Sequence, residues 1–225
     1  MTTFPGSPKL VRGGIVVMDP RTARLLRIIV FQFNPDTLTR TLQPQTIGQE
    51  PGDRLEALRL KGPPHETIKL DAEFDATEQL ERPDDGPANQ LVARVGLSAQ
   101  LAALETLVYP PSTQLLANDL QAQQGTIEIA PVEAPLTLFV WSRNRIVPVR
   151  LTDWTVTEEA FDTSLNPIRA KVSLSMRVLT VDDLGFRHRG GAIYMAYQQQ
   201  KEALADMSQS GQLSSLGITK IPGAG

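Results

Sequence analysis

The sequence predicts a mainly β protein, built as a β-barrel or as two packed antiparallel sheets, with one or two α-helices. Three observations predict it. Segments 66–75 and 169–180 alternate with a period of two: Ile68, Leu70, Ala72 and Phe74 against Lys69, Asp71, Glu73 and Asp75, then Val172, Leu174, Met176 and Val178 against Lys171, Ser173, Ser175 and Arg177. Successive side chains of a strand point to opposite faces, so each segment turns one face to a core and one to water. Two Asn-Pro pairs, Asn34-Pro35 and Asn166-Pro167, separate strand-like runs. Proline fixes its own φ and drives the preceding residue toward extended backbone, while asparagine bonds to nearby backbone, so both pairs are corners.

From the N-terminus, residues 1–13 are rich in Pro, Gly and small polar residues and are expected to form a flexible arm. Runs at 15–19 and 25–33 flank Asp19-Pro20-Arg21-Thr22 and form a hairpin. After the first corner, 36–43 alternates Leu38 and Leu42 with Thr37, Thr39 and Thr41, a strand leading into a long loop, 44–66, that contains Pro44, Pro51, Pro63 and Pro64. Loops of that length in compact domains are functional or become ordered in an assembly. Beyond the strand 66–75, residues 78–86 are charged and turn-like. A helix is expected at 98–107, with Ser98 as N-cap, Leu101, Leu104 and Leu107 at helical spacing, and Tyr109-Pro110-Pro111 as its stop.

Residues 110–133 read as a linker, within which 112–124, rich in Gln and small residues, is linker or weak helix. Strands at 136–141 and 146–157 join through Ser142-Arg143-Asn144-Arg145, and the second is expected to pair antiparallel with 169–180. Its apolar phase changes between Leu151 and Trp154, as at a β-bulge near Asp153 or in a strand buried on both faces. A helix at 192–207 follows, then a Gly/Ser-rich flexible tail, 208–225. The folded body is therefore expected to span 14–207.

With 225 residues, 41% hydrophobic and 21% charged, the chain has the composition of a folded globular protein. A net charge of -3 gives no general attraction to phosphate, so no nucleic-acid partner is expected. The absence of cysteine excludes disulfides, iron–sulfur clusters and thiolate zinc sites. No apolar run approaches the roughly 20 residues that span a bilayer, so no direct membrane insertion is expected.

Nothing in the sequence assembles a reaction centre, and no enzyme activity, cofactor or metal is expected. His65 lies in the proline-rich loop and His188 between two arginines, neither with an evident partner. The carboxylates Asp84-Asp85, Glu158-Glu159 and Asp182-Asp183 are adjacent pairs in turn-like places, which solvate turns more often than they bind metal. Arg12-Gly13-Gly14 and Arg189-Gly190-Gly191 lack the spacing and the lysine of a phosphate loop; Gly190-Gly191 before a helix fits a simple turn better than an anion site. Trp141 and Trp154 are core or interface residues, or stacking platforms for sugar in a carbohydrate-binding or hydrolytic β-sandwich.

Several ordered segments carry a resemblance. They are 31–42 (Phe31-Gln32-Phe33-Asn34-Pro35-Asp36-Thr37-Leu38-Thr39-Arg40-Thr41-Leu42), Thr157-Glu158-Glu159-Ala160-Phe161-Asp162 with Leu165-Asn166-Pro167-Ile168-Arg169-Ala170, and Leu179-Thr180-Val181-Asp182-Asp183-Leu184-Gly185 followed by Tyr194-Met195-Ala196-Tyr197-Gln198-Gln199-Gln200-Lys201. Together they resemble the tube-type adaptor proteins of extracellular contractile injection systems, phage-tail-like particles of bacteria, across about 14–204. The resemblance implies a phage tail-tube-like fold and a structural protein at the end of the inner tube, in a ring of six copies that meets the spike. Its implied partners are further copies of itself, the inner-tube protein, the spike protein and the baseplate proteins. It implies assembly in the bacterial cytoplasm and then residence in the particle. Family members often carry a C-terminal LysM module; after Met207 this chain has only 208–225, so peptidoglycan anchoring is not expected. A polymerising inner-tube subunit is the alternative within the same class.

Overall fold

The computed structural model describes residues 10–46, 59–123, 133–208 and 211–221. Seven strands, β1 (Gly14–Met18), β2 (Leu25–Val30), β3 (Leu38–Thr46), β4 (Leu60–Asp75), β5 (Leu136–Ser142), β6 (Arg145–Phe161) and β7 (Pro167–Val178), form one antiparallel sheet in the order β2-β1-β5-β6-β7-β4-β3. The chain is mainly β, as the alternation predicts. The sheet is not closed into a barrel, because its end strands β2 and β3 are not paired with each other. Nor are there two separate sheets. The long strand β6 pairs with β5 over Arg145–Pro148 and with β7 over Val149–Phe161, and so belongs to both halves.

Both halves feed one core. Ile15, Phe31, Phe139 and Val147 from one, and Ile68, Val172, Met176 and Val178 from the other, are wholly buried in a single cluster. The opposite face of β4 and β7 presents Lys69, Asp71, Glu73, Lys171 and Ser173, with Asp71 directly across from Ser173 and Glu73 from Lys171. A register shift between Leu151 and Asp153 is the bulge that the change of phase predicts; beyond it Trp154 and Val156 return to the side of Leu174 and Val172.

Six α-helices occur among the described residues, more than the one or two expected: α1 (Thr77–Glu81), α2 (Pro87–Val95), α3 (Ser98–Glu105), α4 (Ser112–Gln123), α5 (Val181–Leu184) and α6 (Arg189–Asp206). The extra ones are short or poorly patterned. The turn-like segment 78–86 contains α1, and α2 starts with proline in its first turn, where the missing N–H costs no hydrogen bond. α4 is the weak-helix reading of the 112–124 segment, which was expected to be linker or weak helix, and it buries none of its residues, so no core-facing stripe decides between the two. α3 and α6 fall where periodicity places them, burying Leu101, Leu104, Tyr194 and Tyr197.

The loop expected at 44–66 is shorter, because β3 runs to Thr46 and β4 starts at Leu60; residues 47–58 lie outside the described residues, as do 124–132 of the expected linker. Residues 1–9 of the arm and 209–210 and 222–225 of the tail lie outside them too, and the tail holds a 3-10 turn, Leu213–Leu216.

Both Asn-Pro pairs are corners, but their side chains reach beyond the turn. Asn34 accepts from the Gly13 amide (2.9 Å) and donates to the Val11 carbonyl (2.9 Å), tying the arm to the start of the sheet. Asn166 donates to Asp162 (2.8 Å), while the adjoining Pro167 carbonyl accepts from the Leu97 amide (2.8 Å) between α2 and α3. That approach needs Gly96, whose φ of 56° is left-handed and whose missing β-carbon would otherwise collide with the Pro167 carbonyl oxygen. Gly96→Ala is expected to cost about 3 kcal/mol, strain and clash together, measured as a shift in the urea midpoint with unchanged slope.

Candidate functional site

Three features stand out among the described residues. The first is a buried charged cluster. Glu66 ends the core-facing row of β4 and is 2% exposed. Its carboxylate accepts from Arg40 Nε of β3 at 2.7 Å and from the Tyr197 hydroxyl of α6 at 3.5 Å, and Arg40 Nη2 donates to the Tyr197 oxygen at 3.0 Å. Lys201 Nζ sits 4.3 Å from the Tyr197 ring centroid, and Tyr194 meets that ring edge-on at 6.5 Å. The cluster thus pins the last long helix to the β3–β4 pair.

Its electrostatics follow from burial and from Glu66. The hydrogen bond to Glu66 raises the Arg40 pKa. Burial, with the Glu66 charge nearby, pushes the Tyr194 hydroxyl up to about 12 and raises that of Tyr197. Burial lowers the Lys201 pKa, assisted by Arg40 and opposed by Glu66.

The second feature is a set of open edges. The outer side of β3 and that of β6 from Val149 to Phe161 pair with no strand among the described residues, and they flank the four-stranded portion β6-β7-β4-β3. β2 is a third free edge, with Leu26, Ile28 and Val30 exposed along one face. The third feature is the polar face of that four-stranded portion. Its charges compensate one another: Arg169 meets Asp75 at 3.0 Å and Lys171 meets Asp71 at 3.8 Å. The Asp75 carboxyl lies below the usual carboxylate range because Thr77, through side chain and backbone, and Arg169 donate to it.

The residues audited in the sequence are scattered. His65 is exposed on β4 opposite Gln43. His188, for which the sequence offered no partner, has two: Nδ1 accepts from the Gly190 amide at 3.1 Å as the N-cap of α6, and Nε2 bonds Glu133 at 3.1 Å. With Nδ1 engaged in capping, the ring has no free lone pair for general-base work. Asp183 closes a capping box with Thr180 and bonds Arg177 at 2.6 Å, which gives Asp183 a structural role. Asp84, Asp85, Glu158 and Glu159 are exposed, and no group of three or more metal-ligating side chains converges among the described residues.

Gly190 and Gly191 are buried within the first turn of α6, and a β-carbon on Gly191 would collide with the Gly185 carbonyl, so close packing explains them. Trp141 stacks on buried Phe139 at 6.0 Å, and Trp154 packs against the core. Both indoles are partly buried. Among the described residues no helix is long and apolar enough to cross a membrane. No protein-family model and no curated protein matches the chain.

The charged cluster was missed in the sequence because its members, Arg40, Glu66 and Tyr197, lie on three separate elements; a carboxylate at the buried phase of an alternating strand was the one available signal. Removing the Arg40 guanidinium leaves the Glu66 charge buried with only the Tyr197 hydroxyl, at 3.5 Å, to bond it. Arg40→Met is expected to cost about 3 kcal/mol, and Arg40→Met with Glu66→Leu markedly less, both read from urea unfolding. A second outcome concerns pH. A tyrosine whose pKa is raised on folding stabilises fully below its unfolded pKa, and that stability is lost as pH rises toward the folded value. The protein should therefore lose stability between pH 10.0 and about 12 through Tyr194, and Tyr194→Phe should flatten that decline.

Proposed function

We propose that the chain is a structural subunit of a phage-tail-like contractile injection particle, forming a ring that joins the inner tube to the spike in the baseplate. One observation carries this reading: the two open edges, β3 and 149–161 of β6, lie on opposite sides of the same four-stranded portion. An unpaired strand edge is a template for another chain. When the two edges differ and sit on opposite sides, pairing the β3 edge of one copy with the β6 edge of the next is heterologous and propagates until it closes.

Closure pairs both of these edges at once and leaves β2 as an outer edge of the ring. In the closed ring the polar face of β4 and β7 lies on one side of a continuous sheet and lines the central channel, its mixed charges already compensated. The resemblance of the segments around both corners to tube-type adaptors supplies the setting and the copy number of six. The same ring, stacked on further copies, is the polymerising inner-tube subunit, which differs in its end contacts and not in its edges.

The mass of the purified protein in solution, alone and mixed with the tube and spike proteins of the same particle, tests this. A ring, or a complex with spike, is expected, and a monomer indifferent to both overturns the proposal. Thr41→Lys together with Thr155→Lys places charge on exposed positions of the two edges. This pair is expected to hold the protein as a folded monomer.

A further inference from the structure

The start of α6 rests on one imidazole. Arg189, Gly190 and Gly191 open the helix, and two adjacent glycines make its first turn intrinsically weak, because glycine gives up the most backbone freedom on becoming helical. No acidic side chain lies in that turn to favour the positive end of the helix dipole. The His188 side chain supplies the cap: Nδ1 accepts from the Gly190 amide at 3.1 Å. Nε2 faces the Glu133 carboxylate at 3.1 Å. An ionised carboxylate only accepts, so Nε2 carries the hydrogen and Nδ1 the lone pair. Both bonds together require the neutral ring in that one tautomer.

The first turn reaches beyond its own helix. Gly190 is buried, and a β-carbon on it would lie 2.5 Å from Leu184 and 3.0 Å from Leu136, so the turn packs tightly over α5 and the start of β5. Arg189, at the head of the turn, donates to the carbonyls of Pro20 (3.1 Å) and Arg21 (3.5 Å) between β1 and β2. Glu133, which His188 holds, also lies 4.0 Å from the Arg21 guanidinium. One ring therefore ties α6, the approach to β5 and the β1–β2 turn.

We propose that His188 is a pH-sensitive latch at this corner. Histidine is the side chain whose charge ordinarily changes between pH 5 and 8. Protonation adds a hydrogen to Nδ1, which turns the acceptor of the cap into a donor facing another donor, the Gly190 N–H. It also places a positive charge at the positive end of α6.

The groups around the ring decide the direction. Arg187 and Arg189 flank it in the chain, Arg21 shares its Glu133, and Arg150 of β6 lines the same recess of about 380 Å³, to which Leu107, Val108 and Leu184 contribute no charge. Among the described residues the acid bonded to the ring is Glu133, itself half-exposed. A half-exposed ion pair gains less than a lost N-cap costs, and the neighbouring guanidiniums oppose a further cation. Acid therefore releases the first turn of α6, loosens the Arg189 contacts and uncovers Leu136 and Leu184. The latch operates within one chain and needs no ring.

Amide hydrogen exchange of the full chain, set against that of His188→Asn at each pH from 8 to 5, tests this. Asparagine caps through its side-chain oxygen and does not titrate there. Taking the two proteins at the same pH removes the pH dependence of exchange itself. The ratio of parent to variant exchange at amides 190–194 should rise about fivefold or more between pH 8 and 5, the loss of one N-cap, while the ratio at β4 and β7 stays constant. His65→Gln should retain the step. A ratio that is flat or falls in acid, or a step that disappears with His65→Gln, overturns the proposal. Nitrogen NMR of the imidazoles in the parent needs no variant to fold. The chain has two histidines, and the His188 signal should report the Nε2–H tautomer at pH 8. The Nδ1–H tautomer there overturns the cap and the latch with it.

Discussion

The sharing of β6 between the two halves of the sheet is the constraint on which the rest depends. Its first four residues, Arg145–Pro148, belong to the β5 ladder and the remainder to β7, so the halves cannot move apart without breaking a strand. The bulge at Leu151–Asp153 lies just past this crossover. A bulge adds twist and bends the strand that carries it, which is what a strand needs in order to serve two ladders while both still contribute side chains to one core. The same crossover leaves 149–161 without a neighbour on one side, so the device that unites the core also produces an open edge.

The Arg40–Glu66–Tyr197 cluster complements this arrangement. Hydrophobic burial alone holds α6 against the sheet without fixing its position along the helix axis, because apolar contact is non-directional. A carboxylate that is 2% exposed and bonded to both a guanidinium and a phenol tolerates little displacement. Buried ion pairs are weak sources of stability but leave a large penalty when misaligned. Positional definition of the helix is what the cluster contributes.

Most of the sheet was legible in the sequence. The alternation at 66–75 and 169–180, the two hairpins and the change of phase near Asp153 each report a strand with one face in the core, and local pattern encodes that directly. Closure was not legible, since whether β2 meets β3 depends on twist and on connections that no single segment records. α4 was legible only as one of two readings, linker or weak helix, because none of its residues is buried and period is a signal only when burial selects it. His188 and Glu133 are 55 residues apart in sequence, and their bond arises because β5 and α6 begin side by side. The sheet stands on the residue pattern alone.

The separation in sequence between partners of the charged cluster has a kinetic consequence. Glu66 lies 131 residues before Tyr197, and Arg40 lies 157 residues before it. Folds dominated by such distant contacts form slowly, because the chain between the partners must be ordered before their interaction is gained. On a ribosome the strands β3 and β4 emerge long before α6 exists. The Arg40–Glu66 pair can form at that stage, but the third member of the cluster, Tyr197, is absent until synthesis is nearly complete. The seat of α6 is therefore laid down early as a charged pair, and the helix that completes it with a phenol is the last long element to arrive.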